Sequence, residues 1–254
     1  MWRFRCLLLF PFLLFLTTNS SQNLLEVVLG DGDDNSELSD GYNDLFCSSW
    51  RLAMERNDAG VWNRAQERCT EYVKSNINFG QYLSDSFVVA KEALAFAKTV
   101  NVADDGMDAW IFDVDDTLIS NVGQNGSKVA ELLSFNISDA STTPAALPAS
   151  MWLYKELREL GFQLIFLSGR GEDERVTTVD DLLNAGYNSW TRLILREAYE
   201  TKTTATEYKS QRRAALMHQG YRIRGISGDQ WSDLLGSPMA TRSFKLPNPV
   251  YYTG

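Results

Sequence analysis

Three aspartates stand within four positions in the segment AWIFDVDDTLIS, residues 109–120, immediately after an apolar run suited to a sheet interior. Asp113, Asp115 and Asp116 carry like charges that repel in a low-dielectric setting unless a cation or a turn into water relieves them. Three further side chains sit where they could share that chemistry. Ser168 closes the apolar run FQLIFLS, Lys209 lies in ATEYKSQRR, and Asp229 follows YRIRGIS. A hydroxyl, an ammonium and a fourth carboxylate could bind an anion and a divalent cation side by side, provided the fold brings them together.

The elements that must do this are legible from the periodicity. AWIFDV, FQLIFL, RLILR and YRIRGIS read as short buried strands, and the stretches between them carry helical spacing: LPASMWLYKELREL, DERVTTVDDLLNAG and ATEYKSQRRAALMHQG. Strands alternating with helices predict an α/β fold, a parallel sheet flanked by helices. Ligands in such sheets bind beyond the carboxyl ends of the strands, where Asp113, Ser168 and Asp229 fall. Lys209, early in its helix, could reach the same edge. From Ser48 to about Val100, apolar residues at helical spacing, among them Trp50, Trp62 and Leu94, predict an N-terminal helical region.

The chain begins with Arg3 and Arg5, then an apolar run over residues 7–16, then small polar residues. This is the layout of a secretory signal peptide over residues 1–21. The run is shorter than the roughly 20 residues a bilayer requires, so no stable membrane anchor is expected. Residues 22–45 are rich in Asp, Gly, Asn and Ser and are expected to form an acidic, disordered arm. The formal charge of −9 becomes −11 once the two arginines leave, which excludes nucleic acid as a natural partner. Removal of Cys6 leaves Cys47 and Cys69 as an even pair in an oxidising compartment, so a disulfide is expected, worth about 3 kcal/mol. Sequons at Asn125 and Asn136 mark glycosylation sites on the same route.

The four ordered motifs DVDDT, FLSGR, YKSQRR and GDQWSD, separated by 55, 41 and 20 residues between Asp113, Ser168, Lys209 and Asp229, resemble those of the haloacid dehalogenase superfamily. With GQY at 80–82, GYRIRGISGDQWSDLLG at 220–236 and RSFKLPNPVYY at 242–252, the chain is similar to the plant class B acid phosphatases and vegetative storage proteins. The resemblance implies one domain over residues 46–254, with a small cap insertion at about 120–149. It also implies that Asp113 is the nucleophile forming an aspartyl-phosphate and Asp115 the acid and base, its backbone carbonyl on the metal. Asp229 would complete a Mg²⁺ site made with Asp113 and Asp115, and Ser168 and Lys209 would hold the phosphate of a small phosphomonoester.

Supporting residues are open at this level. Thr117 either hydrogen-bonds within the loop or has a structural role; Asp233 either orients Lys209 or the metal's water or has a structural role; Arg170 either touches substrate or pairs with Glu172. Asp116 is expected to face water or the turn. Lys202 competes with Lys209, which the YKS pattern favours, and His218, the sole histidine, reads as a surface residue. The chain departs from the family pattern with Asp116 in place of Glu, Ser168 in place of Thr, and a shorter cap segment with Phe135 as its one aromatic.

The leading expectation is a secreted or vacuolar Mg²⁺-dependent acid phosphatase; the alternative is a vegetative storage protein with little or no activity. Retention of Asp113 favours the enzyme. The sequence is compatible with either a monomer or a homodimer.

Overall fold

A computed structural model describes residues 36–58, 64–78, 80–120 and 145–253. The expected signal peptide, residues 22–35 of the expected arm, most of the cap segment and both sequons lie outside the described residues. The chain divides into two units, Met1–Phe46 and Cys47–Gly254, and the sheet and the candidate site belong to the second.

The first helix, α1, runs Ser36–Glu55. It therefore covers residues 36–45, which were expected to be disordered. The reason is continuity: Leu38, Leu45 and Phe46 extend the apolar periodicity of the following turns upstream, and no proline interrupts it. Further on, α1 buries Cys47, Trp50 and Met54. The expected disulfide is present, joining Cys47 to Cys69, which ends a 3₁₀ turn before α2, Thr70–Asn78.

Helix α3, Gln81–Ala97, leads to the central strand β1, Asp108–Phe112. Two-residue strands β2, Ile119–Ser120, and β3, Ala145–Ala146, pair antiparallel, with Ser120 opposite Ala145. Then follow α4 (Pro148–Glu159), β4 (Gln163–Gly171), α5 (Arg175–Asn184), β5 (Arg192–Arg196), α6 (Ala205–His218), β6 (Arg222–Gly228), α7 (Trp231–Leu234) and β7 (Arg242–Lys245). The main sheet has the order β5-β4-β1-β6-β7, with every pair parallel. The expected strands and helices are all found. β7 was not anticipated as a strand, because RSFK is too short and too polar to signal one before its partner β6 is placed.

Alternation on β1 explains the two layers. Trp110 and Phe112 join the cluster that includes Ala90, Ala93, Ala97, Leu153 and Leu157 of α3 and α4, while Ala109 and Ile111 join Leu216 of α6 and Leu234 of α7. Small residues on one side of α3 let α4 approach closely. Trp110 stacks on Phe244 of β7 with ring centres 5.4 Å apart and meets the edge of Phe162 at 5.8 Å. A Cβ at Gly225, on the neighbouring strand, would lie 2.4 Å from the indole, so only glycine fits there. Fully burying each such aromatic stabilises the fold by about 1.5–3 kcal/mol.

Candidate active site

The chain moves outward from β1 to β4 and β5 on one side, then returns to β6 and β7 on the other. Strands β1 and β6 thus flank the point where the winding reverses, the usual ligand crevice of such sheets. Asp113 follows β1 directly, and its N–H donates to Ser227 O at 3.0 Å across that boundary. Asp229 follows β6. Both carboxylates are buried.

Lys209, in the second turn of α6, donates from Nζ to Asp113 Oδ1 and to Asp233 Oδ1. All three side chains are buried, and the exposed Lys202 is not part of this group. Burial alone would lower the Lys209 pKa, but the two carboxylates outweigh it and keep the ammonium charged. Asp113 is pushed up, first by burial and then by Asp233, Asp229 and Asp115, with Lys209 opposing. Burial and Asp233 raise Asp229 to about 6.

Asp229 takes its hydrogen bonds from neutral donors. Thr117 Oγ1 donates to Oδ1 at 2.9 Å and accepts from the Asp229 N–H at 3.0 Å. Gln230 Nε2 and Asn248 Nδ2 donate to Oδ2 at 2.8 and 2.7 Å. Asp233 is fixed at the start of α7, where its Oδ2 accepts from Gln230 N at 2.9 Å. The fully buried Arg213 donates to the carbonyls of Asp233 and Pro238, each at 2.8 Å, and so locks the α7 turn. Gly228 is required beneath it: a Cβ would come within 2.4 Å of the Asp233 carboxylate.

Carboxylate oxygens of Asp113, Asp229 and Asp233 lie within 4.8 Å of one another. Lys209 bridges two of these acids and Asp229 is met by neutral side chains, so the cluster retains an excess of negative charge in a buried place. All-oxygen donors with that excess fit a divalent cation. The third side chain of this group is Asp233; Asp115 is expected on the metal through its backbone carbonyl, not its side chain. Asp115 turns its carboxylate to Arg170, which forks it through Nη2 at 2.7 Å and Nε at 3.0 Å. Arg170 also donates to Asp181 at 2.8 Å. The alternative pairing of Arg170 with Glu172 is not found, because Glu172 is taken by Arg175, three residues on in the turn.

Ser168 is fully buried on β4, and its Oγ accepts from Arg170 N at 3.1 Å. Tyr208, next to Lys209, donates from its hydroxyl to Ser168 O at 3.1 Å, tying the β4 loop to α6. Asp116 does not face water. It is buried with φ +54°, and its Oδ2 accepts from Tyr251 OH at 2.8 Å; the left-handed turn folds its side chain back under the loop, a conformation Asp tolerates better than most residues. Tyr82 of α3 is also within electrostatic reach of Asp116 and Asp229; burial first, and then those charges, hold its phenol well above the usual range. His218 is exposed at the end of α6, away from these groups in the sequence of elements. Sequence reasoning missed Gln230, Asn248, Tyr251, Tyr82 and Asp181. Asn248, set between Pro247 and Pro249, carried the clearest signal, an amide held in rigid chain.

A wholly parallel sheet with an acid cluster, a buried lysine and a serine at its carboxyl edge defines a protein of the haloacid dehalogenase class. More closely, the chain belongs to HAD superfamily subfamily IIIB (acid phosphatase), whose family model matches residues 35–254. It is 45% identical over 214 residues to Acid phosphatase 1 of Solanum lycopersicum, covering 82% of this chain and 84% of that protein. It is 40% identical over 217 residues to the Stem 28 kDa glycoprotein of Glycine max, covering 82% and 84%. Vegetative storage protein 1 of Arabidopsis thaliana is 36% identical over 213 residues, covering 81% and 78%.

Proposed function

We propose that this member of the acid phosphatase family hydrolyses phosphate monoesters through a phosphoryl group carried on Asp113. The observation that carries the reading is Lys209, whose buried ammonium reaches both Asp113 and Asp233 at the carboxyl edge of β1. Within the motif, Asp113 is the group that can attack phosphorus. A carboxylate oxygen of Asp113 forms a bond to phosphorus while the bond to the ester oxygen breaks, and Asp115 donates a proton to the leaving oxygen. Asp115 then takes a proton from water, whose oxygen attacks phosphorus, and the Asp113–phosphorus bond breaks to release inorganic phosphate. Arg170 orients Asp115 for both transfers. Ser168 and Lys209 hold the phosphoryl oxygens and offset the charge that develops on them.

Asp113 and Asp229, with the Asp115 carbonyl, would hold Mg²⁺, and Asp233 would keep Lys209 and the metal's water in place. When bound, the ion neutralises charge between the attacking carboxylate and the phosphate. The Cys47–Cys69 disulfide, together with the signal-like amino terminus, supports a secreted or vacuolar location, and glycosylation at Asn125 and Asn136 belongs to the same proposal. No helix among the described residues is long and apolar enough to cross a membrane.

The alternative, a storage protein that keeps the fold without turnover, is disfavoured by an intact constellation of Asp113, Asp115, Lys209 and Asp229. The test is phosphate release from several monoesters by the purified protein, after chelation and again with added Mg²⁺. Mg²⁺-dependent release lost in Asp113→Asn supports the enzyme. Absence of release from a folded, Mg²⁺-supplied wild type would establish the storage reading.

A further inference from the structure

Asp229 is gripped from outside its own loop. Its Oδ2 accepts from both Asn248 Nδ2 and Gln230 Nε2, while Oδ1 accepts from Thr117 Oγ1 alone among these donors. Each carboxylate oxygen has two lone-pair sites, so Oδ2 is filled and Oδ1 retains one. The orientation of Asn248 is not arbitrary. Its Oδ1 accepts from Val250 N at 3.0 Å and Tyr251 N at 3.2 Å, so the amino end must face Asp229. The backbone of Asn248 is anchored in turn: its N–H donates to Glu55 Oε1 at 2.9 Å, and the other oxygen of Glu55 accepts from Lys245 Nζ at 2.8 Å. Glu55 is the last residue of α1 and lies 193 positions away from Asn248.

We infer that Asn248 is a positioning residue that presents Asp229 as a one-oxygen ligand, through Oδ1, and that Glu55 holds Asn248 in place to do so. The inference rests on the reading of Asp229 as a metal residue. An asparagine that only shaped the tail would need no more than its oxygen on the N–H groups of residues 250 and 251. Here the amide hydrogens go to a buried carboxylate that lies within 4.8 Å of two other acids.

The consequence is ion selectivity. Mg²⁺ demands a tight octahedron and favours single oxygens, whereas the larger Ca²⁺ accepts two-oxygen carboxylates and flexible shells. Filling Oδ2 with two amides denies Asp229 the two-oxygen mode, so the site discriminates against Ca²⁺. Partners that orient a ligand from behind are worth about 10–100-fold in metal affinity.

The test is calorimetric titration of the full chain, stripped of metal, with Mg²⁺ alone and with Ca²⁺ alone. Asn248→Ala frees Oδ2 and should weaken Mg²⁺ binding about 10-fold or more while Ca²⁺ binding holds or rises, so the ratio of the two affinities falls. Asn248→Asp keeps an acceptor for the N–H groups of residues 250 and 251 but removes the donor, and should lower the same ratio. Glu55→Ala should move the ratio in the same direction by less. An unchanged ratio in both position-248 variants, or loss of folding in both, would make Asn248 a purely structural residue and overturn the inference. If the wild type binds neither ion, the metal reading of Asp229 fails and this inference falls with it, whereas an unchanged ratio in the variants of a wild type that binds Mg²⁺ overturns the inference alone.

Discussion

Arg170 grips Asp115 with two nitrogens, Nη2 on Oδ1 at 2.7 Å and Nε on Oδ2 at 3.0 Å, across 55 residues of sequence. A guanidinium forks a carboxylate in one plane, and a lysine cannot. Because Asp181 anchors the far nitrogen of Arg170, the fork sets where the Asp115 carboxylate can deliver a proton.

Arg170→Lys should therefore lower kcat by roughly 10–100-fold, a part of the roughly 10²–10⁴-fold that a positioned general acid and base contributes. The loss should be larger for alkyl phosphates than for nitrophenyl phosphate, whose leaving group needs little protonation. Rates on a series of leaving groups check this; a loss independent of leaving group would put Arg170 on the phosphate instead.

Asp113→Asn and Asp115→Asn should fail differently. The first replaces the nucleophile by an amide and should reduce turnover by at least about 10³-fold, with substrate still bound. The second keeps the nucleophile, so a good leaving group should still phosphorylate Asp113 while hydrolysis slows and the phosphoprotein accumulates. Acid-quenched mass spectrometry would show the added phosphoryl group in the Asp115 variant, and its absence there would count against Asp115 as the base.

Acidity should stabilise the metal-free protein and leave the Mg²⁺-supplied protein nearly unchanged. Asp229 is raised to about 6, and Asp113 is raised as well, so the folded apo site binds protons more readily than the unfolded chain. Apo stability should therefore rise as pH falls from 7 through about 6. Stabilisation by Mg²⁺ should shrink over the same interval, because protons compete for the same oxygens. Melting temperatures measured against pH, with and without Mg²⁺, should converge on the acid side.

At the other end of the sheet, Asp108 accepts from Arg222 at 2.9 and 2.8 Å, from Arg224 at 2.6 Å and from Ala103 N at 2.8 Å. The Arg222 hydrogen bonds, aided by the Ala103 N–H and Arg224 against the cost of burial, hold its carboxyl far below the usual range. A depressed carboxyl stabilises the fold above its unfolded pKa of about 4 and loses that contribution as pH falls toward the folded value. Asp108→Asn should cost roughly 2–3 kcal/mol at pH 7, and the gap from wild type should narrow below about pH 4. Denaturant melts at pH 7 and pH 3 provide the measurement.

The central elements were legible because their signals are local. AWIF and FQLIF carry apolar runs that only a two-sided sheet buries, YRIRGIS sets Ile223 between two arginines and Ile226 beyond them, and the helices between these strands are amphipathic. Asp113, Lys209 and Asp229 could be placed because strand ends in such sheets converge by topology. The partners were not legible. That Arg170 would take Asp115 and not Glu172 depends on the turn after β4, where Arg175 already holds Glu172. That Asp233 would join Asp113 depends on Arg213 locking α7, and the burial of Asp116 depends on a tyrosine 135 residues away. Such contacts are set by packing between distant segments, and no periodicity announces them.

The strand order has a consequence for how the molecule is made. During synthesis β1 emerges without either of its sheet neighbours: β4 follows it, and β6 only after the whole of α6. Cys47 and Cys69 both precede β1, so the covalent tie is available before any strand can pair. Asp113 must then wait for Asp229, and Asp229 for Asn248, before its pocket exists. The nascent chain thus exposes its acids singly to solvent, where they repel little, and gathers them only when the residues that hold and neutralise them have also left the ribosome.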